Sequence, residues 1–326
     1  MRAPPPFFVV GNDRSGTTML RLALDRSAEA AVPPESMFLI DTAAARRSGN
    51  LTDPGEAARL LERIWEHPRV RGWGLPESPP PMPAGLSHEE VYRFAVEAPF
   101  RAYAELAAKS RWGDKTPAYL HHIEALLTVW PDARFIVLVR DGRDVALSIM
   151  GLPFGPNNVW AAARNWAAGV RRGQEAERRH PGQVLTLRYE DLAGEPRREI
   201  ERVCGFLGLT YDEEMLAIER TDASKLGKGQ EGWFTNVWAG INPSAVGKWR
   251  QQMTPAQQAV FAAVAGNELR ALGYETADGA APPAARAIAY GAHDAAMRAV
   301  NFVRLRLLEE RGRELSHVLR RKLGRA

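Results

Sequence analysis

The hydrophobic pattern near the start of the chain predicts a short buried strand, a polar loop and a helix. Four apolar residues stand at positions 7–10, and the next eight positions carry no apolar side chain larger than glycine. From Met19 onward apolar residues recur at helical spacing, which predicts a helix from about Thr17 to Arg26.

Further apolar patterns predict the rest of the core. Residues 133–139 are nearly all apolar, as a parallel strand that is covered on both faces should be. Residues 184–192 indicate a strand that enters a turn. Residues 159–179 carry one apolar and one charged face, which predicts an amphipathic helix. Further helices are predicted at 54–67, 87–108 and 200–209.

The loop after the first predicted strand is suited to bind a phosphate. Gly11 and Gly16 permit a tight turn in which several N–H groups converge on one anion, and the helix dipole adds its positive end there. Both glycines and Thr18 match the P-loop pattern, but Thr17 replaces its lysine. Nucleoside triphosphatases need that lysine on the β- and γ-phosphates, so its absence argues against ATP or GTP hydrolysis.

The same loop resembles that of a known family. The run Arg14, Ser15, Gly16, Thr17 and Thr18 is similar to the 5′-phosphosulfate loop of sulfotransferases, which use 3′-phosphoadenosine 5′-phosphosulfate (PAPS). Its arginine form resembles tyrosylprotein sulfotransferases and many bacterial members. The resemblance implies that these five residues bind PAPS and that Arg14 takes part in catalysis. A generic Gly/Ser turn is the structural alternative.

The resemblance also implies a general base. Glu35 lies 21 positions after Arg14, comparable to the place of the base glutamate in tyrosylprotein and glycan sulfotransferases. Its alternative is a solvated loop carboxylate, the usual state of glutamate. His121 is the reserve base, because cytosolic small-molecule sulfotransferases use a histidine near this region.

A lysine segment follows at 112–120. It is similar to the Lys-Thr-Pro-x-Tyr segment of glycan sulfotransferases, in which the lysine reaches the sulfuryl group and the bridging oxygen. The resemblance therefore implies that Lys115 neutralises charge on the leaving phosphate. Asp114 and Pro117 indicate a fixed loop here, and an exposed surface lysine is the alternative.

The resemblance implies a second anion site after the strand at 133–139, where Arg140 and Ser148 would bind the 3′-phosphate. Arg140 follows the strand, and Ser148 lies eight positions later, about two helical turns with the loop included. This stretch resembles the 3′-phosphate segment of the family, and the planar fork of arginine matches phosphate oxygens. Two anion sites after two core strands fit a nucleotide with phosphates at both ends of its ribose.

Two further cofactor contacts are implied by the resemblance. Tyr189 stands in an Arg-Tyr-Glu-Asp-Leu segment whose tyrosine helps to hold the adenosine, with a core tyrosine as the alternative. Lys248 stands in a Gly-Lys-Trp stretch, where the cofactor lid of the family returns to a helix, and is expected beside the nucleotide phosphates. The long loop at 222–243 is expected to be functional, but none of its side chains is assigned.

Composition narrows the class of protein. The 326 residues have a formal net charge of +4, which favours anionic ligands rather than nucleic acid. Cys204 is the single cysteine and is expected to be a small core residue. Neither a secretion signal nor an apolar run of about 20 residues is visible, so we expect a soluble cytoplasmic protein. No cluster with metal-ligand spacing appears, and no metal is predicted.

Five ordered segments within residues 7–273 carry the resemblance. It implies an α/β fold with a P-loop-like, mainly parallel sheet flanked by helices, and a ligand over the carboxyl ends of the strands. We predict a sulfotransferase domain at 1–276, a linker at 277–285 and a basic helical extension at 286–326. The run at 286–323 is expected to pack on the domain, to form a homodimer or to contact an anionic membrane surface.

The predicted reaction moves the sulfuryl group of PAPS to an acceptor hydroxyl and leaves 3′-phosphoadenosine 5′-phosphate (PAP). The acceptor stays open between a glycan or glycolipid, a natural product and a peptide tyrosine. A P-loop-type small-molecule kinase and a non-catalytic nucleotide-binding module are the alternatives.

Overall fold

The computed structural model describes residues 4–150, 152, 155–222, 240–276 and 285–301. The chain divides into two compact units, one of residues 1–140 and 169–245 and the other of residues 141–168 and 246–326. The predicted linker lies almost wholly outside the described residues, so the predicted domain boundaries stay predictions. In the part of the chain that the structure describes, no helix is long and apolar enough to cross a membrane.

The first unit contains a parallel sheet of five described strands. Their spatial order is β2-β3-β1-β4-β5, and every pairing is parallel. All side chains of the central strand β1 are buried, which suits a strand covered on both faces. The predicted fold class is thereby confirmed. The strands are β1 Phe7–Gly11, β2 Ala30–Ala31, β3 Arg111–Lys115, β4 Arg134–Val139 and β5 Val184–Arg188.

Helices connect the strands. The first unit holds α1 Thr17–Asp25, α2 Phe38–Ser48, α3 Pro54–Trp65, α4 His88–Leu106, α5 Ile123–Val129, α8 Tyr189–Gly194 and α9 Pro196–Leu207. The second unit holds α6 Gly142–Ile149, α10 Trp249–Gln252, α11 Pro255–Ala271 and a helix over 285–301. The residues of α7, Val159–Arg179, are divided between the two units.

Strand β3 corrects the expectation of a fixed loop around Lys115. The charged residues at both ends of this strand hide it from a hydrophobicity pattern, yet all five of its residues are buried. Gly113 makes the pairing with β1 possible, since a Cβ at this position would lie only 2.3 Å from the ring of Phe7. Trp112 stacks on Phe100 with ring centroids 4.6 Å apart. Lys115 consequently lies at the carboxyl end of a strand beside β1.

The helix over 285–301 packs within the second unit. The buried carboxylate of Asp294 accepts a hydrogen bond of 2.8 Å from the backbone N–H of Asn157, and the side chain of Asn158 donates to the carbonyl of Tyr290. These hydrogen bonds lie within the second unit, and the three predicted roles of the region 286–323 stay predictions. Residues 302–326 lie outside the described ranges.

Candidate active site

The loop between β1 and α1 has a backbone that glycine makes possible. Gly16 has a φ of 95°, and a Cβ on it would lie 2.5 Å from the Tyr189 ring. A Cβ on Gly11 would lie 2.3 Å from the carbonyl oxygen of Leu138. Arg14 also adopts a left-handed conformation, with a φ of 68°. The loop is therefore packed tightly against β4 and the start of α8.

The polar groups of this loop fit an anion. The hydroxyl oxygen of Ser15 is fully buried and has no hydrogen-bond partner among the described residues. Gly16 precedes α1 and has no side chain to cap it, so no side chain satisfies the first-turn N–H groups there. A buried hydroxyl and an uncapped helix start are groups that suit phosphate or sulfate oxygens, and binding of the 5′-phosphosulfate here stays a prediction.

The parallel sheet brings Glu35, Lys115 and Thr18 together. The ammonium nitrogen of Lys115 donates to Oε1 of Glu35 at 2.7 Å and to Oγ1 of Thr18 at 3.2 Å. Lys115 ends β3, Thr18 belongs to the first turn of the helix after β1, and Glu35 follows β2. The carboxyl ends of parallel strands meet at one edge of the sheet. Lys115 therefore lies beside Glu35 and Thr18, which are 80 and 97 positions earlier in the chain. Lys115 is buried and is not the exposed lysine of the alternative.

Burial and charge act in opposite directions on this pair. Burial, the largest single effect, raises the pKa of Glu35, but the charge and hydrogen bond of Lys115 and the charges of Arg69 and Arg21 together outweigh it and hold the pKa below its ordinary value of 4.5. Burial lowers the pKa of Lys115, although Glu35 opposes the shift. Glu35 is thus ionised near neutral pH and able to accept a proton, and is not the solvated carboxylate of the alternative.

A buried hydrogen-bond network beneath the pair was missed by sequence reasoning. The backbone N–H of Ser36 donates to Oγ1 of Thr116 at 3.2 Å, and the Ser36 hydroxyl lies 2.8 Å from that of Tyr119. The backbone N–H of Leu39 donates to the same tyrosine oxygen at 3.1 Å. Ser36 adjoins Glu35 and Thr116 adjoins Lys115, so the network ties the two segments together. The Lys-Thr-Pro-x-Tyr run contains two of its members.

Asp114 lies in the same interior. It is fully buried, and its Oδ2 atom has no hydrogen-bond partner among the described residues. Burial raises its pKa to about 7, although hydrogen bonds from Ser36 and Thr116 and the charge of Lys115 oppose the shift. A neutral carboxylic acid beside the Lys115–Glu35 pair is therefore well populated at neutral pH.

Arg140 contacts the loop between β1 and α1 directly. It donates to the carbonyl oxygens of Arg14 at 3.1 Å and Ala245 at 2.6 Å, and its guanidinium lies 4.6 Å from the centroid of the Tyr189 ring. Burial, followed by the charge of Arg140, lowers the pKa of Arg14. Two arginines so close together favour an anion between them. Tyr189 is buried in the core and also borders Gly16; its contact with the adenosine stays a prediction.

Ser148 and Lys248 belong to the second unit. Ser148 lies on α6, and Lys248 directly precedes α10. The carboxylate of Asp144, also on α6, accepts hydrogen bonds from the backbone N–H groups of Gly247 at 2.7 Å and Trp249 at 2.9 Å. Asp144 thereby joins the segments that carry Ser148 and Lys248. Binding of the 3′-phosphate by these residues stays a prediction.

Four further predictions concern His121, Cys204, metal ligands and the expected lid. His121 is exposed at the end of a 3₁₀ segment, Pro117–His121, and its role as reserve base stays a prediction. Cys204 is a buried core residue, as predicted, and burial raises the pKa of its thiol to about 11. No three metal-ligating side chains cluster within the described ranges. Most of the expected lid, 223–239, lies outside those ranges.

Comparison with known proteins gives one consistent family. A model of the sulfotransferase family matches residues 5–213, and one of the sulfotransferase domain matches residues 157–273. The nodulation protein NoeE of Sinorhizobium fredii is 27% identical over 293 residues, 82% of this chain and 65% of that protein. Protein-tyrosine sulfotransferase A of Caenorhabditis elegans is 24% identical over 281 residues, 84% of this chain and 68% of that protein. The sulfotransferase domain of the Synechococcus PCC 7002 olefin synthase shares the fold, with a TM-score of 0.57, 22% identity, and coverage of 85% of this chain and 98% of that domain.

Proposed function

The chain belongs to the sulfotransferase family, and we propose that its Glu35–Lys115 pair catalyses sulfuryl transfer from PAPS to the hydroxyl of a small-molecule, glycan or peptide acceptor. PAPS supplies the activated sulfuryl group. The acceptor oxygen forms a new bond to sulfur, and the bond between sulfur and the 5′-phosphate oxygen breaks. The cytoplasmic location expected from the sequence is part of the proposal.

The donor site is formed by residues of both predicted anion sites. The buried Ser15 hydroxyl, the uncapped start of α1 and the Arg14 guanidinium suit the 5′-phosphosulfate. Arg140, together with Ser148 and Lys248, is proposed to bind the 3′-phosphate, and Tyr189 the adenosine. A nucleotide held at both phosphates has a fixed orientation over the carboxyl edge of the sheet.

Glu35 and Lys115 divide the proton and charge chemistry. Glu35 is ionised and accepts the acceptor proton as the acceptor oxygen attacks sulfur. Lys115 and Arg14 stabilise the negative charge that develops on the sulfuryl and departing phosphate oxygens. By analogy with phosphoryl transfer, this catalysis rests on positioning and electrostatics and needs no covalent enzyme intermediate.

One observation carries the proposal: the Lys115 ammonium touches both the proposed base and the first helical turn after the phosphate-binding loop. Such a position suits a cation that acts between acceptor and donor. A kinase would need a lysine within the loop, where this chain has Thr17. The kinase and the non-catalytic binding module are therefore not favoured.

Two substitutions test the proposal. Glu35→Gln removes the base and keeps the shape, and Lys115→Ala removes the cation. Both should lower kcat for transfer of ³⁵S-labelled sulfuryl groups by at least about 100-fold. PAP affinity, measured by calorimetry, should stay within about threefold in Glu35→Gln. Glu62→Gln, an exposed glutamate on α3, is the matched control. Full turnover by Glu35→Gln would overturn the assignment of the base.

A further inference from the structure

The two carboxylate oxygens of Glu35 face different cations. Oε1 accepts from Lys115 at 2.7 Å, whereas Oε2 lies 3.7 Å from a guanidinium nitrogen of Arg69. The second separation is an ion pair and is too long for a hydrogen bond. Oε2 is thus the oxygen that remains able to take a hydrogen bond from an acceptor hydroxyl.

Arg69 is the most exposed of the three side chains. The side chain of Arg69 is 40% exposed, that of Glu35 19% and that of Lys115 only 3%. The partner of Oε2 is therefore accessible to a molecule that arrives from solvent. Apart from Glu35, Arg69 has no carboxylate within ion-pair distance among the described residues. An arginine held by one long ion pair can be drawn to a stronger anionic partner at little cost.

A second donor belongs to the same segment. Arg69 directly precedes the 3₁₀ turn Val70–Trp73, and the indole N–H of Trp73 is buried with no acceptor in the described part of the chain. The Trp73 ring lies 6.1 Å from the ring of Tyr103 and 6.4 Å from that of Phe38, three residues after Glu35. Arg69 thus carries a guanidinium whose ion pair with Glu35 is too long for a hydrogen bond, and Trp73, four residues later, carries a buried indole N–H without an acceptor among the described residues. An anion supplies acceptors for donors of both kinds.

We propose, building on the assignment of Glu35 as the base, that Arg69 recognises an anionic group on the acceptor, such as a carboxylate next to the reacting hydroxyl. The acceptor anion pairs with Arg69 and draws it from Glu35. Without this ion pair, Oε2 is a stronger base toward the hydroxyl proton. Arg69 is accordingly a specificity-determining residue, and an acidic acceptor both binds to it and frees the base.

The test compares acceptors that differ in charge alone. The probes are 4-hydroxyphenylacetate against 4-hydroxyphenylacetamide, methyl β-glucuronide against methyl β-glucoside, and the peptide Asp-Tyr-Asp against Asn-Tyr-Asn. Wild type is compared with Arg69→Gln, Arg69→Lys and Arg71→Gln. Arg71 is the matched control, because it lies on the same turn, is 67% exposed and pairs with Glu66 at 3.3 Å.

We expect wild type to favour the acidic member of the accepted pair in kcat/KM by about 10- to 100-fold, the usual effect of a hydrogen bond between charged groups. Arg69→Gln should abolish that preference and leave transfer to the neutral member equal or faster, whereas Arg69→Lys should keep most of the preference. Arg71→Gln should behave as wild type. If Arg69→Gln lowered kcat/KM equally for the acidic and the neutral acceptor, or left the preference for the acidic acceptor unchanged, the role of Arg69 would be overturned.

Two results separate this inference from the proposed function. If the enzyme transfers sulfuryl groups to none of the six compounds, their binding to the PAP complex is measured by calorimetric titration instead. The acidic members should bind more tightly to wild type than to Arg69→Gln. Equal binding of acidic and neutral members would contradict the inference alone. Failure of wild type to bind PAP and to transfer any sulfuryl group would contradict the proposed function itself.

Discussion

The ammonium nitrogen of Lys115 lies 2.7 Å from Oε1 of Glu35, although 80 positions separate the two residues in the chain. The contact depends on β3 running parallel to β1 on one side and to β2 on the other. Lys115 ends β3, and Glu35 follows β2. Stability of this edge of the sheet and the chemistry of the site are therefore linked, and both can be measured.

The pH profile should identify the base. Burial raises the pKa of Glu35, but Lys115, Arg69 and Arg21 together lower it by more, so the pKa lies below 4.5 and the carboxylate is mostly ionised at pH 5. We expect kcat/KM of wild type to change less than threefold between pH 7 and pH 5. His121→Gln should retain full activity. A steep loss of activity in this range that His121→Gln removes would instead assign the base to His121.

Asp114 should give the protein an unusual pH dependence of stability. Its folded-state pKa is about 7, and the unfolded chain releases the same proton near pH 4. Between these values the folded state alone holds the proton, so the free energy of unfolding falls as the pH rises. Asp114→Asn should flatten this slope and gain about 1–3 kcal/mol over wild type at pH 8.

Urea denaturation from pH 4 to pH 8 measures the Asp114 effect. The exposed Glu62 provides the control substitution, Glu62→Gln, which should leave the slope as in wild type. A slope of wild-type size in Asp114→Asn would show that Asp114 is ionised in the folded protein throughout the range.

Gly16 should tolerate no side chain. Alanine would combine an unfavourable φ of 95° with a Cβ 2.5 Å from the Tyr189 ring. We expect Gly16→Ala to lower the free energy of unfolding by about 2–4 kcal/mol and to weaken PAP binding. Gly182 has a φ of 81° but open space around it, so Gly182→Ala reports the backbone strain alone, about 1 kcal/mol. Equal losses from both substitutions would contradict the predicted clash.

Arg140 should distinguish PAP from AMP, which lacks the 3′-phosphate. Arg140→Lys keeps the charge but loses the planar fork, so the Kd of PAP should rise about tenfold while that of AMP changes less than threefold. Arg134, at the opposite end of β4, gives the control Arg134→Lys. Calorimetry measures all four values. An equal loss for both nucleotides would assign Arg140 to the 5′ side, where it already contacts the Arg14 carbonyl.

Much of the fold was predictable because its core elements have strong periodicity. The strand at 7–10, the helix beginning at Thr17 and the helix at 159–179 all agree with the structure. Strand β3 was not predictable in this way, since Arg111, Asp114 and Lys115 are charged and their burial depends on partners far along the chain.

The site was predictable where a local motif carries the chemistry. The loop at Arg14–Thr18 and the segment around Lys115 are such motifs, and the resemblance to sulfotransferases linked them to Glu35. Arg69 and Ser36 have no comparable local signal. They belong to the site because the chain fold brings them to Glu35 and Tyr119, and only a three-dimensional structure contains that information.

A crystal structure of the complex with PAP tests the central claim most directly. We expect the 5′-phosphate against Ser15 and the start of α1, within reach of Lys115, and the 3′-phosphate on Arg140. Glu35 should face the open side of the 5′-phosphate, where the acceptor hydroxyl would stand. PAP bound away from the loop at residues 12–18, or with its 5′-phosphate remote from Lys115 and Glu35, would contradict it.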